Sequence, residues 1–340
     1  MQTYEMIARL SDLRGGSGRE QAVGETAAEL LRAFAPDAHY GDGSVVGHIG
    51  QDTGKPTLLL CAHLDQVGFM VTDITEDGFL RIGAVGGIDR RLLLGQAVTV
   101  IGSETLSGVI SILPPHLLKG EQAVPEDAQL CVDLGVSSAE ALTGRVARGD
   151  RVYYAATCKK LQNDYMTGSA LDDRCGVAAV LLAAEQLAGE PDLPCNVTVY
   201  FSGQEERSGR GAKLAAVNEQ PDYAIAVDVT FGMAHGEDPK ECMTLKKGPA
   251  VGISSVLSAE MSRHLMQTAE RAGIPYQTEV MPGTTGTDAD SLALSPGGCE
   301  AATVSIPLRY MHTPVEVIAV SDVEQTAQLL TEYAKECGRI

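Results

Sequence analysis

Two adjacent carboxylates, Glu205 and Glu206, follow an apolar run at residues 197–201. The β-branched and aromatic residues of that run predict a buried strand. Side chains placed just after such a strand lie at its carboxyl end, where α/β proteins commonly build their sites. Neighbouring residues leaving a strand point in different directions, so one carboxylate can bind a metal ion while the other transfers a proton. The alternative is a solvated acidic loop.

A second apolar run, residues 57–62, ends in His63-Leu64-Asp65. Residues i and i+2 of an extended segment face the same side, so the His63 ring and the Asp65 carboxylate can lie together. This pairing suits a metal-binding imidazole beside a carboxylate that fixes its tautomer. The alternative is a structural histidine whose polar atoms are satisfied within the fold.

The pair Asp172-Asp173 precedes an Ala- and Leu-rich run, residues 177–187, that predicts a buried helix. Acidic residues at the start of a helix complement its dipole, so helix capping explains the pair without any chemistry. A metal-bridging role for one of the two aspartates is the alternative. The sequence leaves the two interpretations evenly balanced.

Two more candidates follow predicted strands. Asp228 comes directly after the strand predicted at 223–227, and an aspartate in a strand-end turn is the alternative there. His312 lies shortly after the strand predicted at 303–308. Pro307 within that run indicates either an edge strand or the end of a strand, because proline cannot donate to a sheet ladder.

If the predicted strands form one sheet, these candidates converge at its carboxyl edge. Two imidazoles and three carboxylates can hold two divalent ions when one aspartate bridges them, since each ion then has one imidazole and two carboxylates. Zn²⁺, Co²⁺ and Mn²⁺ all suit such ligands. Glu205 would remain free beside the intervening solvent as a general base. The candidate ligands are His63, Asp172, Glu206, Asp228 and His312.

Residues 67–156 differ in pattern from the rest of the chain. Short alternating runs are separated by turn signals, and no strong helical period extends through them. This pattern predicts a small all-β unit, and a barrel is a natural form for it, with exposed loops at 114–116 and 125–127. Residues 1–66 and 157–340 combine helical periods with buried strands, which predicts an α/β domain interrupted by the β insertion.

The composition disfavours several classes of function. The 340 residues carry a net charge of −19 at pH 7, which argues against binding to nucleic acid or to an anionic membrane. No run approaches membrane-spanning length, and no signal peptide is visible. The eight cysteines are scattered without a CxxC pair, so buried thiols in a reducing cytoplasm are expected rather than disulfides.

The candidate residues lie in five segments, which in chain order are Cys61-Ala62-His63-Leu64-Asp65-Gln66-Val67-Gly68-Phe69, Leu171-Asp172-Asp173-Arg174-Cys175-Gly176, Gln204-Glu205-Glu206 with Arg210-Gly211-Ala212, Val227-Asp228-Val229-Thr230, and Arg309-Tyr310-Met311-His312-Thr313-Pro314. Together they resemble the M42 family of metallo-aminopeptidases, which includes glutamyl and deblocking aminopeptidases. The likeness covers nearly the whole chain, including the β insertion at 95–98 and 114–118. Each motif alone is modest, but five in the same order are highly specific.

The resemblance implies a fold and an assembly. It implies a three-layer α/β catalytic domain of the phosphorylase/hydrolase-like type and a PDZ-like β-barrel that serves in dimerisation. It also implies a homo-oligomer, in the form of a tetrahedral assembly of twelve subunits. The expected domains are therefore a catalytic domain formed by residues 1–66 and 157–340 and an inserted dimerisation domain formed by residues 67–156.

The resemblance also implies roles for the site residues, residue by residue. By this likeness, Glu205 is the general base and Asp65 is the partner that orients His63. The bridging ligand is the first aspartate of the Asp-Asp pair. The implied metal ligands are Asp172 as the bridge, His63 and Asp228 for one ion, and Glu206 and His312 for the other.

The expected activity is hydrolysis of the N-terminal peptide bond of short peptides. Glu205 would take a proton from a water held between the two ions and pass it to the leaving amine. A di-metal deacylase or carboxypeptidase is the nearest alternative, and a catalytically silent peptide-binding assembly protein is the alternative from another class. One departure concerns specificity: Arg207-Ser208 replace the small apolar residue and glycine usual in the family. Arg207 could pair with an acidic substrate group, although solvent exposure is favoured.

Overall fold

The computed structural model describes residues 1–112, 116, 130–296 and 298–337. The loop predicted at 125–127 and the motif residues 117 and 118 lie outside this part of the chain, as do Pro114 and Pro115. Its strands are β1 His39–Gly41, β2 Ser44–Ile49, β3 Thr57–His63, β4 Gly68–Ile74, β5 Leu80–Val85, β6 Ala97–Ile101, β7 Thr105–Ile110, β8 Cys131–Asp133, β9 Arg151–Tyr154, β10 Lys159–Lys160, β11 Tyr165–Gly168, β12 Asn196–Ser202, β13 Tyr223–Phe231, β14 Ala250–Ser254, β15 Gln277–Met281, β16 Glu300–Leu308 and β17 Glu316–Ala319. Its helices are α1 Thr3–Ser11, α2 Gln21–Leu31, α3 Leu171–Leu187, α4 Glu205–Ser208, α5 Arg210–Asn218, α6 Ala259–Ala272, α7 Asp288–Leu294 and α8 Val320–Glu336. Each described helix is too short or too polar to cross a bilayer.

The α/β body is built on an eight-stranded sheet with the strand order β1-β2-β12-β3-β13-β16-β14-β15. The central strands β12, β3, β13 and β16 run parallel to one another. Continuous apolar runs are typical of such strands, because helices bury both of their faces. Here α1, α2, α3, α6 and α8 pack on one face, whereas α5 and α7 pack on the other. The predicted α/β class is confirmed, and the body has three layers.

Six strands of the insertion close into a barrel in the order β4-β5-β8-β7-β6-β9. The barrel has its own apolar core, which includes the buried side chains of Phe69, Val100, Val152 and Tyr154. The rings of Phe69 and Tyr154 meet edge to face with their centroids 5.8 Å apart. A closed barrel has no free strand edges, so this unit can satisfy its backbone without borrowing strands from the body.

Pro307 lies within an internal strand of the sheet, so the prediction of an edge strand is wrong. The alternative prediction, a strand end, describes the local pairing. β14 pairs with β16 only at Ala250 with Ser305 and at Val251 with Val304. Pro307 lies beyond these pairs, so its missing N–H breaks no hydrogen bond with β14.

A charged contact joins the outer part of the sheet to two neighbouring segments. His48 on β2 places its Nδ1 2.6 Å from the Asp37 carboxylate and its Nε2 2.9 Å from the Glu219 carboxylate. The bond to Glu219 raises the pKa of His48 against the opposing effect of burial, and the bond to Asp37 adds to the rise, so the pKa reaches about 9. The charged His48 ring therefore forms ion pairs with both Asp37 and Glu219.

This contact should make the stability of the protein depend on pH above neutrality. The pKa of His48 is higher in the folded state than its usual value of 6.5. Its stabilising contribution is therefore complete below about pH 6.5 and is lost as the pH rises through about 9. Because the ring is partly exposed, we expect roughly 1–2 kcal/mol after allowing for solvent screening.

The measurement is urea unfolding of wild type and His48→Gln at several pH values between 6 and 10. The difference in unfolding free energy between the two proteins should shrink as the pH rises. His235→Gln serves as the matched control, because His235 is exposed. A wild-type advantage that stays constant across this range would contradict the assignment.

Candidate metal centre

The first candidate ligands meet because two parallel strands end at the same level. His63 is the last residue of β3, and Ser202, the last residue of β12, is its register partner. The chain continues from Ser202 into α4, which begins with Glu205 and Glu206. The strand ends therefore bring the acidic pair next to His63, and the ligand atoms of His63, Asp172 and Glu206 all lie within 4.8 Å of one another.

Asp172 lies between the two candidate histidines and faces each with a different oxygen. Its Oδ1 is 3.1 Å from the Nε2 of His63, and its Oδ2 is 3.1 Å from the Nε2 of His312. A carboxylate that divides its two oxygens between two imidazoles has the geometry required of a ligand shared by two ions. Asp172 is also buried, with a relative exposure of 5%.

The remaining candidates extend the cluster on both sides of Asp172. Asp228 Oδ1 is 3.9 Å from the Nε2 of His63. On the other side, Glu206 Oε1 is 3.3 Å from the Nε2 of His312. The structure therefore brings all five predicted ligand residues together, with one imidazole and one further carboxylate on each side of Asp172.

Backbone carbonyls orient both imidazole rings. The Nδ1 of His63 lies 3.0 Å from the carbonyl oxygen of Asp65, and the Nδ1 of His312 lies 2.6 Å from the carbonyl oxygen of Gly87. A carbonyl oxygen can only accept, so both Nδ1 atoms carry a hydrogen. In a neutral ring, the Nε2 lone pair is then left for a metal ion. Gly87 belongs to the barrel unit, between β5 and β6, so that unit contributes to the site.

Asp228 does not end its strand, contrary to the prediction. Strand β13 continues to Phe231, and Asp228 pairs with Ser305 inside the sheet. The side chain is nevertheless accessible to the cluster because the pairing of β3 with β13 stops at Cys61 and Ala226. The two strands separate immediately before His63 and Asp228, which leaves room for their side chains.

Asp173, the second member of the acidic pair, also lies in the cluster. Its ligand atoms are within 4.8 Å of those of His63 and Asp228, so grouping by distance alone offers it as a ligand. Its Oδ2, however, accepts the backbone N–H of His63, and its Oδ1 accepts that of Gly176, each at 3.1 Å. The second bond is a helix cap at the start of the regular part of α3. Capping and ligand geometry thus both occur, divided between Asp173 and Asp172.

The carboxylate of Asp65 serves the acidic pair more directly than it serves His63. It is 3.7 Å from the Nδ1 of His63, which donates instead to the Asp65 backbone. Asp65 Oδ1 accepts the N–H of Glu205 at 2.9 Å, and its Oδ2 accepts the N–H of Glu206 at 3.3 Å and the hydroxyl of Ser17 at 2.5 Å. Asp65 therefore orients His63 through its carbonyl and fixes the start of α4 through its side chain.

Glu316 is a buried carboxylate for which the sequence motifs predict no role. Its Oε2 accepts the N–H of Leu171 at 2.7 Å and that of Asp172 at 3.3 Å. Its Oε1 accepts the N–H of His312 at 2.9 Å. One side chain thus holds the backbone of the central aspartate and of one histidine at a fixed separation. The only available signal is an acid four residues after His312, which carries little information by itself.

Asp288 is a second unassigned acid, buried beneath the cluster at the start of α7. Its Oδ2 accepts a short hydrogen bond from the Ser202 hydroxyl and lies 3.5 Å from the Cys61 sulfur. Both of these partners belong to strands that deliver ligands. The Gly/Thr-rich loop at 283–287 precedes Asp288 and gives no sequence signal for a supporting acid.

Arg207 lies on α4 next to the acidic pair and is exposed to solvent. Within the described part of the chain, its guanidinium forms no hydrogen bond and no ion pair. This placement agrees with the favoured expectation of solvent exposure. Arg207 therefore forms no ion pair with the acids of the cluster.

The cluster buries more carboxyl groups than cationic groups, and burial disfavours their ionised form. Burial raises the pKa of Asp173, Asp228 and Glu316 well above the usual range for carboxyl groups. Burial also raises the pKa of Glu205 to about 10, with the His63 ring opposing the rise. A buried acid that lacks a cationic partner resists ionisation in this way.

The two imidazoles can hold protons whose positive charge offsets part of the negative charge of neighbouring carboxylates. Burial works against a charged His312 ring, but the bonds to Asp172 and Glu206 raise the pKa of His312 to about 11. Burial alone would also raise the pKa of Asp172, but the bonds to His312 and His63 hold it below its usual value. The cluster therefore favours positive charge at the positions where the two rings meet Asp172.

The donor set fits divalent metal ions. Two imidazoles face six carboxylates, which are Asp172, Asp173, Glu205, Glu206, Asp228 and Glu316. Ions of charge +2 would offset the excess, and imidazole with carboxylate is a set that suits Zn²⁺, Co²⁺ and Mn²⁺. Binding would require deprotonated imidazoles, so metal loading and proton release are coupled.

Several known proteins with a similar sequence and a similar fold are aminopeptidases. The family model described as M42 glutamyl aminopeptidase matches residues 43–329. A lysyl aminopeptidase of Pyrococcus furiosus is 30% identical over 99% of this chain and 98% of its own. A putative aminopeptidase of Acetivibrio thermocellus is 31% identical over 97% of each chain. The TET1 peptidase of Pyrococcus horikoshii, which assembles into a tetrahedron or a large octahedral shell, superposes with a TM-score of 0.87 at 31% identity, covering 98% of this chain and 99% of its own. The chain therefore belongs to the M42 family of aminopeptidases.

Proposed function

We propose that this aminopeptidase uses two divalent metal ions to hydrolyse the N-terminal peptide bond of short peptides. The observation that carries the proposal is the position of Asp172, whose two oxygens each lie 3.1 Å from a different histidine. Asp172 would then be the bridging ligand. The other ligands would be His63 and Asp228 for one ion and Glu206 and His312 for the other.

The metal would supply Lewis-acid chemistry, which polarises the scissile carbonyl and makes a bound water acidic. Zn²⁺ and Co²⁺ are the proposed ions, and Mn²⁺ is compatible with the same ligands. The second layer of the site supports this use. Glu316 and Asp173 hold the backbones of Asp172 and His63, so the ligands are oriented before any ion arrives.

Glu205 is proposed as the general base. Its backbone N–H is held by Asp65, and the structure describes no hydrogen bond from its carboxylate to another side chain. Bound divalent cations would favour its ionised form, and the carboxylate would then be available to accept a proton from the attacking water and to return it to the nitrogen of the leaving amine. The adjacent Glu206 faces His312 and serves a different purpose, as the divided pair predicts.

The proposal extends to organisation. We propose that residues 1–66 and 157–340 form a phosphorylase/hydrolase-like catalytic domain and that residues 67–156 form a PDZ-like dimerisation domain. A homo-oligomer, in the form of a tetrahedral dodecamer, is proposed because the Pyrococcus horikoshii relative assembles into a tetrahedron. A cytoplasmic location is proposed on the scattered spacing of the cysteines, which contains no CxxC pair.

The charge of the preferred N-terminal side chain is not decided by family membership. The matching family model is described as glutamyl aminopeptidase, whereas the Pyrococcus furiosus relative is a lysyl aminopeptidase. These names point to side chains of opposite charge. The substrate preference of this chain must therefore come from its own residues.

The test is hydrolysis of amino-acid p-nitroanilides by protein loaded with Zn²⁺, Co²⁺ or Mn²⁺. We expect turnover of anilides with a free α-amine and a loss of at least about 10-fold when that amine is acetylated, since recognition of a buried polar group is sharply selective. EDTA should abolish turnover, and added metal should restore it.

Other outcomes separate the alternatives. Faster turnover of acetylated than of free substrates would favour a deacylase. Absence of both activity and bound metal in protein purified without chelator would favour a silent peptide-binding protein. Full activity in EDTA would contradict the metal-dependent mechanism.

A further inference from the structure

Glu279 on β15 is an acid close to the candidate metal centre for which the proposed mechanism has no role. Its carboxylate accepts a hydrogen bond from the Thr230 hydroxyl at 2.5 Å. Burial raises the pKa of Glu279, and hydrogen bonds from Thr230 and Ser305 oppose the rise. No lysine, arginine or histidine in the described part of the chain forms an ion pair with it. The site therefore holds an acid that lacks a cationic partner.

The strand pairing places this acid on the same side of the sheet as the metal centre. Asp228 and Thr230 are two residues apart on β13, so their side chains face the same side. Ser305, the second partner of Glu279, is the register partner of Asp228 on β16. Thr230 lies about 7 Å along the strand from Asp228, and Ser305 lies about 5 Å across the sheet from it, so a carboxylate that accepts from both hydroxyls lies roughly 5–10 Å from the Asp228 side chain.

A glycine allows Glu279 to reach across the sheet. Gly252 on β14 lies between Glu279 and β16 in the register. A Cβ built on Gly252 would lie 2.0 Å from the Thr303 hydroxyl oxygen, so no larger residue fits there without displacement. With no side chain on Gly252, the Glu279 side chain can cross β14 towards Ser305 and Thr230.

The distance matches the length of a basic amino acid. A peptide whose terminal bond lies at the metal centre would project its first side chain away from that centre. A lysine side chain extends about 6 Å from Cα to Nζ, as follows from carbon–carbon bonds of about 1.5 Å. Together with the separation between Cα and the metal centre, this length spans the gap from the centre to Glu279.

The charge of the surroundings also favours a cation. The chain carries a net charge of −19, and a strongly acidic surface steers cationic ligands towards an acidic cleft. Arg207, the cation closest in sequence to the acidic pair, points into solvent and offers no buried partner for an acidic side chain. Glu279, in contrast, is partly buried and has two hydroxyl donors that fix its orientation.

We propose that Glu279 recognises the cationic side chain of an N-terminal lysine or arginine, so that peptides with a basic first residue are the preferred substrates. Thr230 and Ser305 orient the carboxylate, and the substrate supplies the missing cation. The inference rests on the proposed aminopeptidase function and adds a specificity-determining residue to it.

The test compares lysine p-nitroanilide with norleucine p-nitroanilide, whose side chain resembles that of lysine without the ammonium group. The wild-type enzyme loaded with metal should prefer lysine by about 10- to 100-fold in kcat/KM, the range expected of a hydrogen bond to a charged group. In Glu279→Gln the ratio should approach unity, while turnover of the norleucine substrate stays near the wild-type value. Glutamine keeps the size of the side chain and an acceptor for Thr230.

Glu185→Gln is the matched control, because Glu185 is exposed near the end of α3, about 20 Å along the helix from Asp172, and it should leave the ratio unchanged. If Glu279→Gln does not fold, Thr230→Val removes the orienting hydroxyl and should lower the ratio through the same carboxylate. A wild-type ratio near or below unity overturns the inference, and so does an unchanged ratio in a folded Glu279→Gln protein. Inactivity towards both anilides would instead contradict the proposed function itself.

Discussion

Replacing Glu205 by glutamine should lower kcat by about 10²- to 10⁴-fold, the usual contribution of a positioned general base. Glutamine keeps the size of the side chain and leaves the backbone N–H that donates to Asp65 in place. What it removes is the ability to take a proton from water and return it to the leaving amine. Metal content should stay at the wild-type value, because Glu205 is not one of the proposed ligands.

Steady-state kinetics on an amino-acid anilide, together with metal analysis, test this expectation. Glu185→Gln, an exposed Glu-to-Gln change on α3, should leave both values unchanged. Near-normal kcat in a metal-loaded Glu205→Gln enzyme would remove Glu205 from the proton-transfer step. Loss of metal together with activity would instead assign Glu205 to the ligands.

Replacing Asp172 by asparagine should remove both metal ions and reduce activity by more than about 100-fold. Loss of a residue that merely supports a ligand already weakens metal binding 10- to 100-fold, and Asp172 contacts both histidines directly. Asparagine has one oxygen in place of two and no negative charge. It therefore cannot face both imidazoles as a shared anionic ligand.

A second variant distinguishes a bridge from an ordinary ligand. Glu206→Gln changes only the side of the cluster that contains His312, so it should lose about one of the two ions, whereas Asp172→Asn should lose both. Metal content after gel filtration is the measurement, and circular dichroism of the metal-free proteins checks that they fold. The matched control is Asp192→Asn, an exposed aspartate. Equal metal loss in the Asp172 and Glu206 variants would argue against a bridging role.

The parts of the fold that can be predicted from the sequence are those with a local signal. The apolar runs at 57–62 and 197–201 become the adjacent parallel strands β3 and β12, because a strand buried on both faces must be apolar throughout. The alternating runs of the insertion become barrel strands for the corresponding reason, since each faces a core on one side only. Local pattern thus identifies both the layers of the body and the barrel.

Strand boundaries show where a local signal fails. An acid at the end of an apolar run indicates a turn, yet β13 continues past Asp228 because Val229 and Thr230 pair with Ile306 and Pro307 on β16. The backbone hydrogen bonds between β13 and β16 offset the cost of a polar side chain inside the sheet. The carboxyl group of Asp228 lies where β3 no longer pairs with β13. Pairing partners more than seventy residues away decide this boundary, so no window of sequence contains the information.

The same limit applies to the residues that support the site. His63 and the acidic pair are recognisable because chemistry-bearing residues directly follow predicted strands. Glu316, by contrast, acquires its role by accepting N–H groups from Leu171 and Asp172, about 145 residues earlier in the chain. Glu279 likewise gains significance only through its contact with Thr230, 49 residues away. Single acids with distant partners leave no periodicity or motif by which to find them.

The contact between His312 and Gly87 has a thermodynamic consequence for the whole molecule. A ring of the α/β body is oriented by a carbonyl of the barrel unit, so the position of that unit enters the free energy of metal binding. Linkage is reciprocal: whatever displaces the barrel weakens the hold on the ion, and an occupied centre resists displacement of the barrel by the same free energy. Neighbouring subunits that press on the barrel would therefore act on metal affinity without touching a single ligand.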